Sequence, residues 1–400
     1  MPQRIAVVTT SRADYGHLYW PMREIEKHPD LSLDLIVMGA HLSQTFGHTV
    51  DLIEADGFEI SARIECLDAE DSDAGMARTI GIAATRLTQV LADLRPDLLL
   101  LIADRYEMLA PACVALALRI PIAHIEGGDI SEGAVDDAVR NALTKMAHLH
   151  FTPTQDARRR VLAMGEEDWR VIFSGAPSLD HLRRSTLPDH ASLEKTLGLS
   201  LSPAACVVAY HPVTLHQNTT DEADAVMQAL SEWSEQILFC FPNADAGSSD
   251  LVRRVTNFCA QRHSAHLYVN LDHLSYWALL QNVQLMVGNS SSGIMESPSL
   301  GLPCVDIGDR QRGRTRAANI VHAAASADAI SQAMAQASAP SFRKALQGLA
   351  NPYGDGHAAE RIVAGLAEAP SREQLLHKRA LELIPNLDAF KQHTHTTGED

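Results

Sequence analysis

Short apolar runs alternate with helix-like segments through the first half of the chain. Runs with the length and near-continuous apolar character of buried strands lie at 4–10, 31–39, 97–103, 120–125, 148–153 and 169–177. Between them, helical character is predicted at 16–27, 75–94, 106–118, 136–147 and 156–164. This alternation predicts a parallel sheet that is covered by helices on both faces.

The second half of the chain repeats the alternation. Strands are predicted near 205–210, 236–241, 266–269, 284–288 and 304–307, and helices near 219–233, 247–262, 273–281, 292–300, 327–337 and 356–368. The segment 180–203 carries charges and two prolines and has no strong strand, so we place a boundary there. A capping-box pattern, Ser371 with Gln374, starts a last amphipathic helix, and the polar tail 391–400 is expected to be disordered.

These patterns predict an α/β protein of two Rossmann-like, doubly wound domains with a cleft between them. The predicted bounds are 1–182 for the first domain, 183–365 for the second, and 366–400 for a C-terminal helix and tail.

Polar residues directly follow five of the predicted strands. They are Asp104 with Arg105, Glu126, His211, Asn243, and Asn289 with Ser290. In an open parallel sheet, ligands bind outside the carboxyl ends of the strands. The sequence therefore predicts one shared cleft lined by these side chains.

Composition and charge exclude several classes of partner. A net charge of −17 over 400 residues disfavours nucleic acid and anionic membranes as partners. An anionic ligand then needs a local positive cluster, for which Arg310, Arg312, Arg314 and Arg316 are candidates. The six cysteines are scattered, and neither a signal-peptide pattern nor an apolar stretch of 18 residues occurs, so we expect a soluble cytoplasmic protein.

The segment 288–296 follows a predicted strand and begins a helix with three consecutive serines, including Ser290 and Ser291. Hydroxyls and free N–H groups at such a position can bind a diphosphate, although one serine could be an ordinary N-cap. Glu296 could accept hydrogen bonds from ribose hydroxyls or could be a solvated helix residue. Arg12, in the turn after the first strand, suits a phosphate but could be a surface arginine. No G-x-G-x-x-G pattern with a distal acid occurs there, which argues against NAD.

A cluster of carboxylates indicates acid–base chemistry. Its members are Asp104, Glu126, Asp129, Asp136 and Asp137. Clustered acids push one another's pKa values apart, which can create both a base and an acid. Alternatively, Asp104 could pair with Arg105, and Asp136 or Asp137 could favour a helix N-terminus.

The histidines add less to this picture. His211 could bind phosphate, act as an acid or base, or be a satisfied buried histidine. His148 and His150 are interpreted as structural. Metal binding is disfavoured, since no H-E-x-x-H or H-x-x-E-H spacing occurs.

Seven strings taken together resemble the UDP-N-acetylglucosamine 2-epimerases. In order along the chain they are TTSRADYG, ADRYE, HIEGGDISEGAVDDAVRNALTKMAHLHF, HPVT, FPNADAGS, GNSSSGIMESPSLGLP and NPYGDG. The SRADY start and the acid pair resemble the hydrolysing branch, which includes bacterial sialic-acid-pathway enzymes. The resemblance implies a GT-B-like fold, no metal or other cofactor, a UDP-sugar as the bound partner, and a homo-oligomer.

The resemblance also implies roles for individual residues. Asp104, Glu126 and Asp136 match acids linked to proton transfer, and His211 matches a histidine of the cleft. Positions that contact the nucleotide match Arg12, Arg105, Asn243, Ser290, Ser291, Glu296 and Arg310. Since the segment 310–316 is rich in arginine, the choice between Arg310 and Arg314 stays open.

The implied reaction converts UDP-N-acetylglucosamine and water to N-acetylmannosamine and UDP through a 2-acetamidoglucal, and would feed sialic acid synthesis. The alternative in the same branch is a hydrolysing 2-epimerase of UDP-N,N'-diacetylbacillosamine, of the legionaminic acid pathway. More distant alternatives are a GT-B glycosyltransferase and a non-catalytic nucleotide-sugar sensor. The acid cluster argues against both.

Overall fold

The computed structural model describes residues 2–70, 72–132, 134–213, 222–241, 248–269 and 271–379. Asn243, the predicted C-terminal tail and the end of the predicted last helix lie outside these residues.

Seven parallel strands form the first sheet, in the order β3-β2-β1-β4-β5-β6-β7. The strands are β1 (Gln3–Thr9), β2 (Leu31–Met38), β3 (Ile60–Ile64), β4 (Leu98–Ile102), β5 (Ile122–Ile125), β6 (Leu149–Thr152) and β7 (Val171–Phe173). The order runs outward from β1 in both directions. The carboxyl ends of β1 and β4 therefore meet at the point where the winding reverses, which is where such sheets bind ligands.

Six parallel strands form the second sheet, in the order β10-β9-β8-β11-β12-β13. They are β8 (Cys206–Ala209), β9 (Ile237–Phe241), β10 (Ala265–Val269), β11 (Leu285–Gly288), β12 (Cys304–Ile307) and β13 (Ile320–Ala323). Its reversal point lies between β8 and β11.

Helices cover both sheets. They are α1 (Arg12–Lys27), α2 (Val50–Ala55), α3 (Asp73–Leu94), α4 (Leu109–Ala117), α5 (Asp136–Met146), α6 (Gln155–Ala163), α7 (Asp180–Arg184), α8 (His190–Leu197), α9 (Ala223–Ser231), α10 (Ser248–Gln261), α11 (His273–Asn282), α12 (Ser291–Met295), α13 (Ala327–Ser338), α14 (Pro340–Ala345), α15 (Ala358–Ala367) and α16 (Arg372–Leu376). None of the helices in the described ranges is long and apolar enough to cross a membrane.

Separate apolar clusters pack on the two faces of the second sheet. Val226, Leu230 and Ile330 belong to one cluster, and Leu193 and Leu279 belong to the other. Burial on both faces explains why the strands are continuous apolar runs. The predicted fold of two Rossmann-like doubly wound units is confirmed.

Two strands that the sequence analysis did not predict, β3 and β13, are edge strands. β3 has exposed positions at Ser61 and Arg63, so it lacks the continuous apolar run of a central strand. The short helices α2, α7, α8 and α14 were also missed.

The chain returns to the first sheet at its C-terminal end. Ile362, Val363 and Leu366 of α15 and Leu375 of α16 belong to the core cluster of the first sheet. The predicted range 183–365 assigned most of α15 to the second unit. Its apolar face instead packs beside α1, because an amphipathic helix pattern carries no information about which sheet it covers.

Candidate active site

One cavity between the two sheets is lined by every predicted site residue that the structure describes. These are Arg12, Asp104, Arg105, Glu126, Asp136, His211, Ser290, Ser291, Glu296 and Arg310. The predicted Asn243 lies outside the described residues. Arg12 and Arg310, 298 positions apart in sequence, meet here because both sheets direct their carboxyl ends into the same cleft.

Asp104 follows β4 and forms an ion pair with Arg140 of α5. The guanidinium of Arg140 is buried, and its Nη1 also donates to Ser131 Oγ at 3.1 Å. Arg105 pairs with Glu107, with 2.7 Å between Nη2 and Oε1, so the Asp104–Arg105 pair considered from the sequence is not the pair that forms. Asp104 and Arg105 both line the cavity, but their charged groups pair with different residues.

Glu126 follows β5 in a left-handed backbone conformation, with φ of 65°. Such a conformation costs a non-glycine residue about 1–2 kcal/mol, and Ala103, before Asp104, shares it with φ of 56°. Strained residues of this kind cluster at functional sites. Here they occur where two neighbouring strands place carboxylates at the cleft.

His17 of α1 was missed by the sequence analysis. Its Nδ1 lies 2.8 Å from Glu126 Oε1, and its Nε2 lies 3.7 Å from Glu296 Oε1. Burial lowers the pKa of His17, but Glu126 and Glu296 outweigh it and raise the value to about 9. Burial alone would raise the pKa of Glu126, but His17 and Arg314 lower it overall. No sequence pattern marked His17, which lies one helical turn after Ala13, another residue that lines the cavity.

The adjacent acids Asp136 and Asp137 have different surroundings. Asp137 Oδ1 accepts from the backbone N–H of Ser131 at 2.8 Å, so it holds the loop before α5. Asp136, the first residue of α5, lines the cavity. Of the two adjacent acids, Asp137 is therefore structural and Asp136 is the candidate site residue.

The second sheet contributes hydroxyl groups and an amide at the ends of β8 and β11. Asn289 Oδ1 accepts from the backbone N–H of His211 at 2.7 Å, and Asn289 Nδ2 donates to the His211 carbonyl at 2.9 Å. These bonds fix the two strand ends together, and the His211 side chain lines the cavity. A Cβ on Gly288 would meet the Ala209 carbonyl oxygen at 2.1 Å, so only glycine permits this close approach.

The segment predicted as one helix over 292–300 is two short pieces, α12 and a 3-10 turn at Ser297–Leu300. Ser290 is the N-cap of α12, as the ordinary alternative required, and Ser291 also lines the cavity. Five residues give only a small helix dipole, so hydroxyls and arginines must supply most of any anion binding. Burial raises the pKa of Glu296, which accepts a hydrogen bond from Ser292 Oγ.

Two arginines have unsatisfied N–H groups in the cavity. Among the described residues, neither Arg12 Nη1 nor Arg310 Nε has a hydrogen-bond partner although both atoms are buried. Burial lowers the pKa of Arg12. A buried guanidinium N–H without an acceptor is costly, so both positions suit a ligand that brings negative oxygens.

Arg314 differs from Arg310 in its partners. Its Nε donates to the Ile130 carbonyl at 2.9 Å and lies 3.4 Å from Asp129 Oδ2. Arg312 pairs with Glu132 at the surface, at 3.2 Å. The arginine-rich segment therefore joins the second sheet to the loop after β5, and Arg310 is the better candidate for a diphosphate ligand.

The remaining buried histidines of this region have protein partners. His148 Nδ1 accepts from the backbone N–H of Ile122 at 3.1 Å, and His150 Nε2 lies 3.3 Å from Glu166 Oε2. His124 Nε2 lies 2.8 Å from the Ala103 carbonyl oxygen. Within the described part of the chain, no group of three or more His, Cys, Asp or Glu side chains is arranged to hold a metal ion.

Comparison with known proteins identifies the family of this chain. The model of the UDP-N-acetylglucosamine 2-epimerase family matches residues 23–367. A relative from Campylobacter jejuni, named GDP/UDP-N,N'-diacetylbacillosamine 2-epimerase (hydrolyzing), is 34% identical over 384 residues, 95% of this chain and 99% of the relative. A Legionella pneumophila protein, named UDP-N,N'-diacetylbacillosamine 2-epimerase (hydrolyzing), is 33% identical over 94% of this chain and 99% of the relative.

A third relative, polysialic acid biosynthesis protein P7 of Escherichia coli, is 30% identical over 93% of this chain and 96% of the relative. Among solved structures, the UDP-GlcNAc 2-epimerase of Neisseria meningitidis bound to UDP-GlcNAc is 18% identical with a TM-score of 0.77, covering 92% of this chain and all of that chain. The fold is therefore GT-B-like, as the resemblance implied. The chain belongs to the UDP-N-acetylglucosamine 2-epimerase family, in its hydrolysing branch.

Proposed function

We propose that the protein catalyses hydrolytic 2-epimerisation of a UDP-linked 2-acetamido sugar, with UDP and the free 2-epimer as products. One observation carries the proposal. The same cavity contains the carboxylates of Asp104, Glu126 and Asp136 and the unsatisfied N–H groups of Arg12 and Arg310. The first set suits proton transfer, and the second suits a departing diphosphate.

The proposed reaction requires both the carboxylates and the N–H groups of the arginines. The C2 proton of the sugar is not alpha to a carbonyl, so it becomes acidic only as the bond between C1 and the diphosphate oxygen breaks and positive charge develops at C1. The electron pair of that bond leaves with UDP, a carboxylate takes the C2 proton, and C1=C2 forms to give a 2-acetamidoglucal. Water then adds to C1 while a proton returns to C2 on the opposite face.

We assign roles on this basis. Asp104 and Glu126 stabilise positive charge at C1 and take the C2 proton, and Asp136 is a candidate for the return of the proton. Arg12, Arg310 and Ser291 stabilise the charge that accumulates on the leaving diphosphate. Glu296 is assigned to the ribose hydroxyls, and Arg105 and His211 to the remaining contacts with the nucleotide sugar.

For the substrate we propose UDP-N,N'-diacetylbacillosamine. The name of two full-length relatives, at 34% and 33% identity, supports this sugar. UDP-N-acetylglucosamine, the first candidate from the sequence, becomes the second candidate. The relative named for polysialic acid biosynthesis supports it.

Proton NMR in D2O tests the proposal. The protein is incubated separately with each of the two UDP-sugars, without added metal or nicotinamide cofactor. Release of UDP together with a free 2-epimer that carries deuterium at C2 is the expected result, faster with the diacetylbacillosamine derivative. UDP release without deuterium at C2 would indicate simple hydrolysis, and no release from either sugar would contradict the proposed function.

A further inference from the structure

An imidazole connects the two sides of the cleft. His17, on α1 of the first unit, lies between Glu126 at the end of β5 and Glu296 at the end of α12 in the second unit. The side chain of His17 is 20% exposed, and those of the two glutamates are 7% and 9% exposed. Since all three line the same cavity, the contact lies inside the candidate active site and not at its rim.

The geometry determines the protonation state that this contact needs. An ionised carboxylate only accepts hydrogen bonds, so an imidazole that faces two of them is stabilised when both of its ring nitrogens carry protons. The other titratable groups near His17 are Asp14 on its own helix and His181 of α7. Burial keeps the pKa of His181 low, at about 3, so it adds no competing charge at neutral pH, whereas three acids surround His17.

We propose that His17 is a positioning residue, which fixes the carboxylate of Glu126 for proton transfer by linking it to Glu296 across the cleft. This inference rests on the proposed function insofar as Glu126 handles a proton of the sugar. Glu126 has a strained backbone conformation after a strand end, and His17 supplies a direct contact that limits where its carboxylate can point. Glu296 is assigned to the ribose hydroxyls of the nucleotide. The link to Glu296 therefore aligns the carboxylate of Glu126 with a bound UDP-sugar.

Three variants test the role through turnover. His17→Gln keeps one hydrogen-bond donor without the charge, His17→Lys restores a cation of different shape, and His28→Gln is the control at the far end of the same helix. We expect kcat of His17→Gln to fall about 100-fold while the affinity for UDP stays within about 3-fold. His17→Lys should recover kcat to within about 10-fold of the wild-type value, and His28→Gln should match the wild type.

The retained affinity for UDP shows that a variant is folded, so a loss of kcat in His17→Gln cannot be ascribed to unfolding. A kcat of His17→Gln within about 3-fold of wild type would overturn the proposal. A His17→Lys variant as slow as His17→Gln would overturn the importance of the positive charge.

A second measurement does not depend on turnover. In protein labelled with ¹³C at histidine, the His17 signal, identified by its loss in His17→Gln, should titrate with a pKa of about 9. In Glu126→Gln the pKa of His17 should fall, because one of the two carboxylate partners is lost. If neither UDP-sugar is turned over, the proposed function fails. The titration still tests whether His17 links Glu126 to Glu296. A wild-type pKa of His17 at or below the ordinary value of about 6.5 would overturn this link.

Discussion

The two sides of the cleft differ in how their charges are satisfied. On the side of the first sheet, which we term the acid wall (Asp104, Glu126 and Asp136), protein cations already hold carboxylates: Arg140 pairs with Asp104, and His17 pairs with Glu126. On the side of the second sheet, which we term the anion wall (Ser290, Ser291 and Arg310), the Nε of Arg310 has no acceptor within the described residues.

The difference indicates a division of labour. In the proposed function the acid wall transfers protons, and such groups must be in position before the reaction; the pairs of Asp104 with Arg140 and of Glu126 with His17 fit this requirement. In the anion wall, Arg310 Nη1 donates to the Asn289 carbonyl at 3.1 Å, but its Nε has no acceptor among the described residues, and we propose that the ligand supplies one. Substitutions in the acid wall should therefore change turnover, and substitutions in the anion wall should change binding.

The largest expected effect is in the acid wall. We predict that Asp104→Asn and Glu126→Gln each lower turnover at least about 100-fold, because the neutral amides neither stabilise positive charge at C1 nor take a proton. UDP affinity, measured by calorimetry, should stay within about 3-fold. The control is Asp137→Asn, which lies next to Asp136 and can still accept from Ser131 N–H. Wild-type turnover in either variant would remove that residue from the chemistry.

Next in size is an effect in the anion wall. Arg310→Ala should weaken UDP binding about 10- to 100-fold, since a charge-assisted hydrogen bond contributes about 1.5–3 kcal/mol. Arg314→Ala should chiefly lower the thermal midpoint of unfolding, because Arg314 joins the second sheet to Ile130 and Asp129.

Calorimetry with UDP and thermal unfolding distinguish the two arginines. Arg312→Ala is the matched control, since its pair with Glu132 is exposed and should contribute little. If Arg314→Ala weakened UDP binding more than Arg310→Ala, the assignment of the diphosphate ligand would be reversed.

The dependence of the free energy of unfolding on pH tests the charge of His17, which pairs with Glu126 of the acid wall. The pKa of His17 is raised to about 9 in the folded protein. Because its pKa is raised, His17 contributes its full stabilisation of the folded state below its unfolded pKa of about 6.5. This stabilisation is lost as the pH rises through the folded pKa of about 9. Wild type should therefore exceed His17→Gln in free energy of unfolding by on the order of 2 kcal/mol at pH 6.5, and by little at pH 10.

Denaturant unfolding at several pH values between these limits measures this difference. The groups that set it are Glu126, Glu296 and Asp14. A difference that is constant over the range would mean that the charge of His17 does not contribute to folding. Arg310→Ala should show no comparable dependence on pH.

The smallest expected effects separate two neighbouring serines. Ser290→Ala removes the N-cap of α12 and should lower the free energy of unfolding by about 1 kcal/mol. Ser291→Ala should leave stability nearly unchanged and weaken UDP binding about 5-fold, the effect of one neutral hydrogen bond. Unfolding curves and UDP titrations on the two variants provide the measurement. The opposite pattern would exchange the two roles.

Much of the fold could be predicted because its signals are local. Central strands such as β4 and β11 are continuous apolar runs, and helices such as α3 carry a clear apolar periodicity. The edge strands β3 and β13 were missed because exposed polar residues, such as Arg63 and His322, interrupt their apolar runs. Likewise, the packing of α15 on the first core depends on the return path of the chain, which no local pattern records.

For the candidate site, the sequence by itself predicted that strand-end residues such as Asp104, Glu126 and His211 meet in the cleft, because polar residues at the ends of parallel strands gather at one edge. Only the tertiary structure decided their partners. His17 and Glu126 are 109 residues apart, and Asp104 pairs with Arg140 and not with its neighbour Arg105. Arg310 and Arg314 look equivalent in sequence and both line the cavity. Arg310 Nε has no acceptor among the residues described, whereas Arg314 Nε donates to the Ile130 carbonyl and so joins the two units. The physical reason is that strand and helix patterns are set by neighbours in sequence, whereas ion pairs and the pKa values they shift are set by distances in space.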